Sequence, residues 1–115
     1  MQIIKNQSGQ DVAFIRNNII FTYNENVIGI KIGDCCFGNS TSVTGKIING
    51  FIYTVEGVII GQCQQFVAPN ERFATKDQLV KAWEILSGIN DHVCPWITIS
   101  EKWSERLFED HLQNG

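Results

Sequence analysis

Hydrophobic residues in the first 63 positions recur in short pairs and alternations, never in long runs. Ile3-Ile4, Ile19-Ile20, Cys35-Cys36 and Phe51-Ile52 stand sixteen residues apart, and so do the small residues Ala13, Gly29, Gly45 and Gly61. Polar punctuation keeps the same beat, with Asn17-Asn18, Gly33-Asp34 and Asn49-Gly50 closing successive lines. A fixed period without gaps marks a repeat architecture. Each line divides into two short segments. The first is rich in Ile, Phe, Tyr and Thr, as in "IIFTY" and "FIYT". The second carries alternating apolar residues, as in Val27, Ile28, Ile30 and Ile32. Both have strand composition. The Asn/Gly pairs between lines tolerate positive φ, which a type I′ hairpin turn demands at both central positions. Within each line, "QSGQ", "NEN", "NSTS" and "EG" supply the other turn. The pattern predicts about eight short antiparallel strands in four similar units.

The small-residue column has two readings. Four units packed round a common axis crowd at their inner edge, and Gly or Ala there lets backbones approach closely. Alternatively, the chain is a plain meander with glycines tolerated at bulges. Short lines ending in Asn/Gly turns, with the step seen in "VIGIKI" and "VTGKII", resemble the four-fold β-flower proteins of bacteria. The resemblance covers residues 3 to 63. It implies four petal-like hairpins around a pseudo-four-fold axis and brings no catalytic residues with it. Cys35-Cys36 depart from it, standing where other units carry bulky aliphatics, and the long tail lies outside it.

The second half has another rhythm. Residues 64–74 read as a connector through Pro69-Asn70, with Phe66 and Phe73 expected to dock on the sheet. Thr75 is a good N-cap, Gln78 follows as in a capping box, and Gly88 supplies a stop. Leu79, Ala82, Trp83 and Leu86 follow helical spacing between them. Pro95 excludes continuing helix, so "WITI" reads as a short strand or extended link. Thr98 and Ser100 offer caps for a last helix, "EKWSERLFEDHL". It would carry Trp103, Leu107, Phe108, His111 and Leu112 on one stripe and stack Glu101, Glu105 and Glu109 on another. The expected fold is therefore α+β, one domain over 1–115: an antiparallel β portion of four 16-residue hairpin repeats (1–63), the connector (64–74) and two C-terminal α-helices (75–115).

Charge sharpens the picture. Residues 1–63 hold four basic and four acidic residues; residues 64–115 hold five basic and eight acidic, so the whole net charge of −3 falls there. That balance disfavours nucleic acid and favours a basic protein partner. No stretch reaches the roughly 20 apolar residues of a membrane span, and "MQIIKNQSGQ" does not read as a signal peptide. The expectation is a cytoplasmic protein, in which disulfides among Cys35, Cys36, Cys63 and Cys94 are not anticipated.

Candidate chemistry is sparse. Cys94 has His92 two residues away, a thiolate–imidazole arrangement that still needs a positioned base and an oxyanion site. Cys35, Cys36, Cys63 and His92 lack a metal-ligand spacing. His111 reads as a half-buried helix histidine. There is no phosphate loop opening a helix and no nucleophile elbow. No catalytic residue, metal or cofactor is expected. The leading function is a non-enzymatic protein-binding module, in concrete form a bacterial immunity or antitoxin protein covering a basic toxin domain. Its contact residues would be Glu101, Glu105, Glu109 and Asp110, with Trp103 as aromatic anchor. The alternatives are a small-ligand module, with its pocket at the repeat axis or under the helices, and a cysteine-dependent enzyme centred on Cys94. A homodimer that seals open strand edges is a further option.

Overall fold

The computed structural model describes residues 1–39, 42–65, 74–89 and 96–113. Eight strands follow one another: β1 (Gln2–Lys5), β2 (Asp11–Arg16), β3 (Ile19–Thr22), β4 (Val27–Ile32), β5 (Cys35–Phe37), β6 (Gly45–Ile48), β7 (Phe51–Thr54) and β8 (Ile59–Gln65). Each pairs antiparallel with the next, and β1 pairs with β8 to close an up-and-down barrel. Two helices follow, α1 (Lys76–Ser87) and α2 (Phe108–Gln113).

This corrects the α+β expectation. The protein is a mostly-β closed barrel with, among the described residues, two short helices of 12 and 6 residues. The hairpins are not separate petals, because every strand is bonded to both neighbours in one continuous ladder. Among the described residues, closure leaves no strand edge to seal, which removes the edge-based reason for a homodimer.

The small-residue column gains its mechanism here. Register shifts fall at the same place in three units, skipping Val12, Ile28 and Ile60. Each is a β-bulge, in which two residues oppose one on the partner strand. Ile20 faces Gly29, and the extra Ile28 also points into the lumen, where it is buried beside Ile4, Ile20 and Ile52. Ile30, of the same parity as Ile28, packs on the outer face instead. The bulge has flipped the alternation. Two consecutive inward positions leave room for one side chain only. A Cβ on Gly29 would stand 2.5 Å from the Phe37 carbonyl oxygen, and one on Gly61 would stand 2.7 Å from Ile4 Cγ2.

The second column of the repeat, Ile4, Ile20, Cys36 and Ile52, forms a buried ring inside the barrel. The first column faces outward. Successive residues of a strand point to opposite sides, so Cys35 belongs to the outer cluster with Ile19, Phe21, Phe37 and Ile85 while Cys36 lies in the lumen. The turns between lines follow their residues. Asn17-Asn18 and Asn49-Gly50 have positive φ at both positions, as type I′ requires. Gly33 alone is positive in its pair, the pattern of type II′ rather than I′.

Thr75 caps α1. Its hydroxyl accepts from the Gln78 amide at 3.2 Å, and Gln78 Oε1 accepts from the Thr75 amide at 2.9 Å. The helix turns a different face to the barrel than its spacing predicts. Ala82 and Ile85 pack against the outer cluster, while Leu79, Trp83 and Leu86 are exposed.

The last helix is the larger correction. Residues 101–107 are not helical. Their backbone is drawn into pairing with the barrel: the Ile59 amide donates to the Lys102 carbonyl at 2.8 Å, and the Ser104 amide donates to the Ile59 carbonyl at 2.8 Å. Beside Ile59, beyond the end of the β1–β8 ladder, the chain forms a parallel bridge through Trp103. Ser100 is tied to Gly57 by both its amide and its hydroxyl. Only from Phe108 does helix begin. A six-residue helix is unstable alone, but α2 drives Phe108 and Leu112 into the open end of the barrel, where both are buried. Each buried side chain of that size contributes about 1.5–3 kcal/mol. The end of α2 is held by the Asn39 amide donating to the Leu112 carbonyl and by Asn39 Nδ2 donating to the Gln113 carbonyl. Gly38 makes this approach feasible, since a Cβ there would overlap the Leu112 carbonyl.

Candidate functional site

The plugged end of the barrel carries a cleft of about 340 Å³ between residues 103–109 and the β1–β2 and β3–β4 turns. Both turns are internally braced. Asn6 Oδ1 accepts from the Ser8 and Gln10 amides, at 3.0 and 2.9 Å. Thr22 Oγ1 accepts from the Asn26 amide at 3.1 Å, and the Thr22 amide donates to the Asn26 carbonyl. Glu25 completes the second turn with φ +65, a left-handed conformation that Gly9 and Gly57 occupy at the same repeat position. A side chain there carries a backbone cost that glycine avoids.

Three of the five predicted contact residues meet in this cleft: Trp103, Glu105 and Glu109. The route differs from the predicted one, because Glu101, Glu105 and Glu109 do not share a helix face. Glu101 is exposed and outside the cleft lining; Asp110 is half-buried, and its carbonyl accepts from Arg106 Nη2 at 3.2 Å. Trp103 is half-buried and lies edge-on to Phe51 at 6.5 Å. The cleft also takes in Tyr23, Leu107 and Arg106. Tyr23 is 71 % exposed, and "IIFTY" reads as strand throughout. The strand ends at Thr22, and an aromatic at the tip of a turn was the signal for this surface.

Ser104 and His111 are joined at 2.8 Å, Oγ to Nε2. Ser104 Oγ also accepts from the Arg106 amide at 3.1 Å, which fixes the hydroxyl beside the imidazole. Burial, and then the Arg106 charge, hold His111 below the ordinary imidazole value of 6.5. The pair ties the 104–107 segment to α2.

The thiols are poor nucleophiles. Burial pushes Cys36 up to about 12 and Cys63 up to about 11. Cys35 is held in a disulfide, which corrects the expectation that none would form. Cys94 and His92, on which the cysteine-enzyme and metal readings rest, and the docking of Phe66 and Phe73, lie outside the described residues. Among the described residues no group of His, Cys, Asp and Glu is arranged to hold a metal ion, and no helix is long and apolar enough to cross a membrane.

A second depression, of about 210 Å³, runs between the exposed α1 stripe of Leu79, Trp83 and Leu86 and the outward Ile19, Ile30 and Ile32. A third, of about 280 Å³, lies on the outer face of β1 and β2 around Phe14 and Arg16. No protein-family profile, curated protein or solved structure matches the chain.

Proposed function

We propose that the protein is a non-enzymatic binding module whose partner is a basic protein domain, in the manner of an immunity or antitoxin protein. The observation that supports this reading is the composition of the barrel-mouth cleft. It joins the carboxylates of Glu105 and Glu109 to the exposed apolar groups of Tyr23 and Leu107. Aromatic anchors bordered by charge are the composition of binding hot spots. Among the described residues that line the cleft, Arg106 is the single basic one against Glu105 and Glu109, which leaves this lining acidic. Its walls are pre-formed by braced turns and by the plug, so a partner would lose little affinity to reorganisation. The mechanism is occlusion: a lysine or arginine of the partner enters between Glu105 and Glu109 while Tyr23 and Leu107 cover the apolar surround. The exposed Trp83 stripe supplies a further apolar surface of the kind that marks interaction sites.

The test is kinetic. The tagged protein is used to capture its partner from lysate of the source organism, and association is then measured with Glu105→Gln/Glu109→Gln and with Glu101→Gln. The expected result is an on-rate lowered on the order of tenfold at low salt for the double variant, with a flatter salt dependence. Glu101→Gln, outside the cleft, should change it far less. Equal rates for the double variant and the parent protein would overturn the reading.

A further inference from the structure

The outer face of β2 presents a group that the barrel does not require. Arg16 occupies the repeat position where the other units carry Ile32, Ile48 and Gln64. It is 6 % exposed. Its guanidinium carbon lies 4.8 Å from the Phe21 ring centre and 5.4 Å from that of Phe14. Those rings stack on each other at 5.0 Å. Cation–π attraction explains where the side chain lies. It does not explain the N–H groups. Nε is buried with no hydrogen-bond partner, and the Glu25 carboxylate stands 3.8 Å from Nη1, beyond hydrogen-bond length. Leaving the buried Nε without a hydrogen bond is costly even beside the Glu25 ion pair, and the guanidinium's fork of donors matches a carboxylate.

We propose that this face holds a small-molecule site in which Arg16 receives the carboxylate of a monocarboxylic acid whose apolar body lies along Ile3, Phe14 and Tyr23. All four residues line the same cleft. At about 280 Å³, the cleft has room for on the order of ten non-hydrogen atoms, taking the volume share of a water molecule for each. Two acids on its border select the charge of the ligand. Asp11 is paired with Lys5 Nζ at 2.6 Å and Glu25 with Arg16 Nη1 at 3.8 Å; with both carboxylates at the border, a second negative charge on the ligand would be repelled. The apolar walls favour a ligand with a hydrocarbon body over an inorganic anion. On binding, the ligand carboxylate takes the Nε edge of the guanidinium, which has no hydrogen-bond partner.

The test uses phenylacetate and its neutral isostere phenylacetamide, titrated into the full chain while backbone amide shifts are followed by NMR. Saturable shifts centred on Ile3, Phe14, Tyr23 and Glu25 are expected for phenylacetate, with phenylacetamide at least about tenfold weaker, as the loss of a charge-assisted pair implies. Arg16→Gln should abolish the preference for the acid, and Arg16→Lys should retain part of it. Absence of saturable shifts with phenylacetate, or equal binding of acid and amide, would overturn the proposal. The acid–amide comparison is made on the unaltered protein, so it decides the matter even where Arg16→Gln fails to fold.

Discussion

The barrel and the segment that closes its mouth are built on different terms. In the barrel each residue type has a job fixed by its place in a sixteen-residue line. Column two fills the lumen, the glycine column relieves the bulge, and Asn/Gly pairs turn the chain. In residues 96–113 nothing repeats. Ser100, Lys102 and Ser104 give their backbone groups to Gly57 and Ile59, and Phe108 and Leu112 fill a hole that the barrel leaves. A repeat carries its own hydrogen-bond partners at fixed separation. A tail has to find its partners on a surface that already exists.

The sharpest way to test that contrast is to place the same methyl group in each region. Gly29→Ala forces a Cβ against the Phe37 backbone inside the ladder. Overpacking of this kind costs about 1–3 kcal/mol, and here it should appear as a lowered midpoint of one cooperative unfolding transition. Gly38→Ala meets the Leu112 backbone instead. Amide exchange should show residues 108–113 losing protection while the β1–β8 amides keep theirs. Equal loss in both regions would mean that barrel and plug fold as one unit.

A smaller effect separates them by pH. His111 has its folded value depressed, so the unfolded chain binds the proton more readily. The stability it contributes is present above its ordinary value of 6.5 and is lost as pH falls from there through the folded value. Acid should therefore loosen α2 before the barrel, seen as a pH-dependent rise in amide exchange at 108–113. His111→Gln should flatten that dependence. A dependence that persists unchanged in the variant would assign it to other groups.

The smallest expected change is a gain. Glu25 holds a left-handed φ at the turn position where Gly9 and Gly57 sit. Glu25→Gly should raise stability by about 0.5–1 kcal/mol through relief of that strain, measured by denaturant unfolding. A loss instead would show that contacts of the carboxylate, including its approach to Arg16, outweigh the backbone term.

Strand positions, the turns and the α1 cap were legible because each rests on chemistry within a few residues: alternation, positive-φ residues, and a Thr-Gln pair three apart. The phase flip at Ile28–Ile30 was less legible, since a bulge preserves composition while changing the face. The candidate site was legible in residue type, through Trp103, Glu105 and Glu109, and not in arrangement. Helical spacing over 101–112 is real, yet the Lys102 carbonyl and the Ser104 amide have better partners on β8.

The sequence by itself determined a four-line β repeat with small residues where bulk would collide, and one capped helix beside it. Only the tertiary structure decided that the strands close on themselves, that α1 leaves Leu79, Trp83 and Leu86 outside, and that the tail unwinds to pair with Ile59 before plugging the mouth. Local propensity acts over a few residues. Closure, facing and plugging depend on what lies opposite each element, and that exists only once the ends of the chain have met.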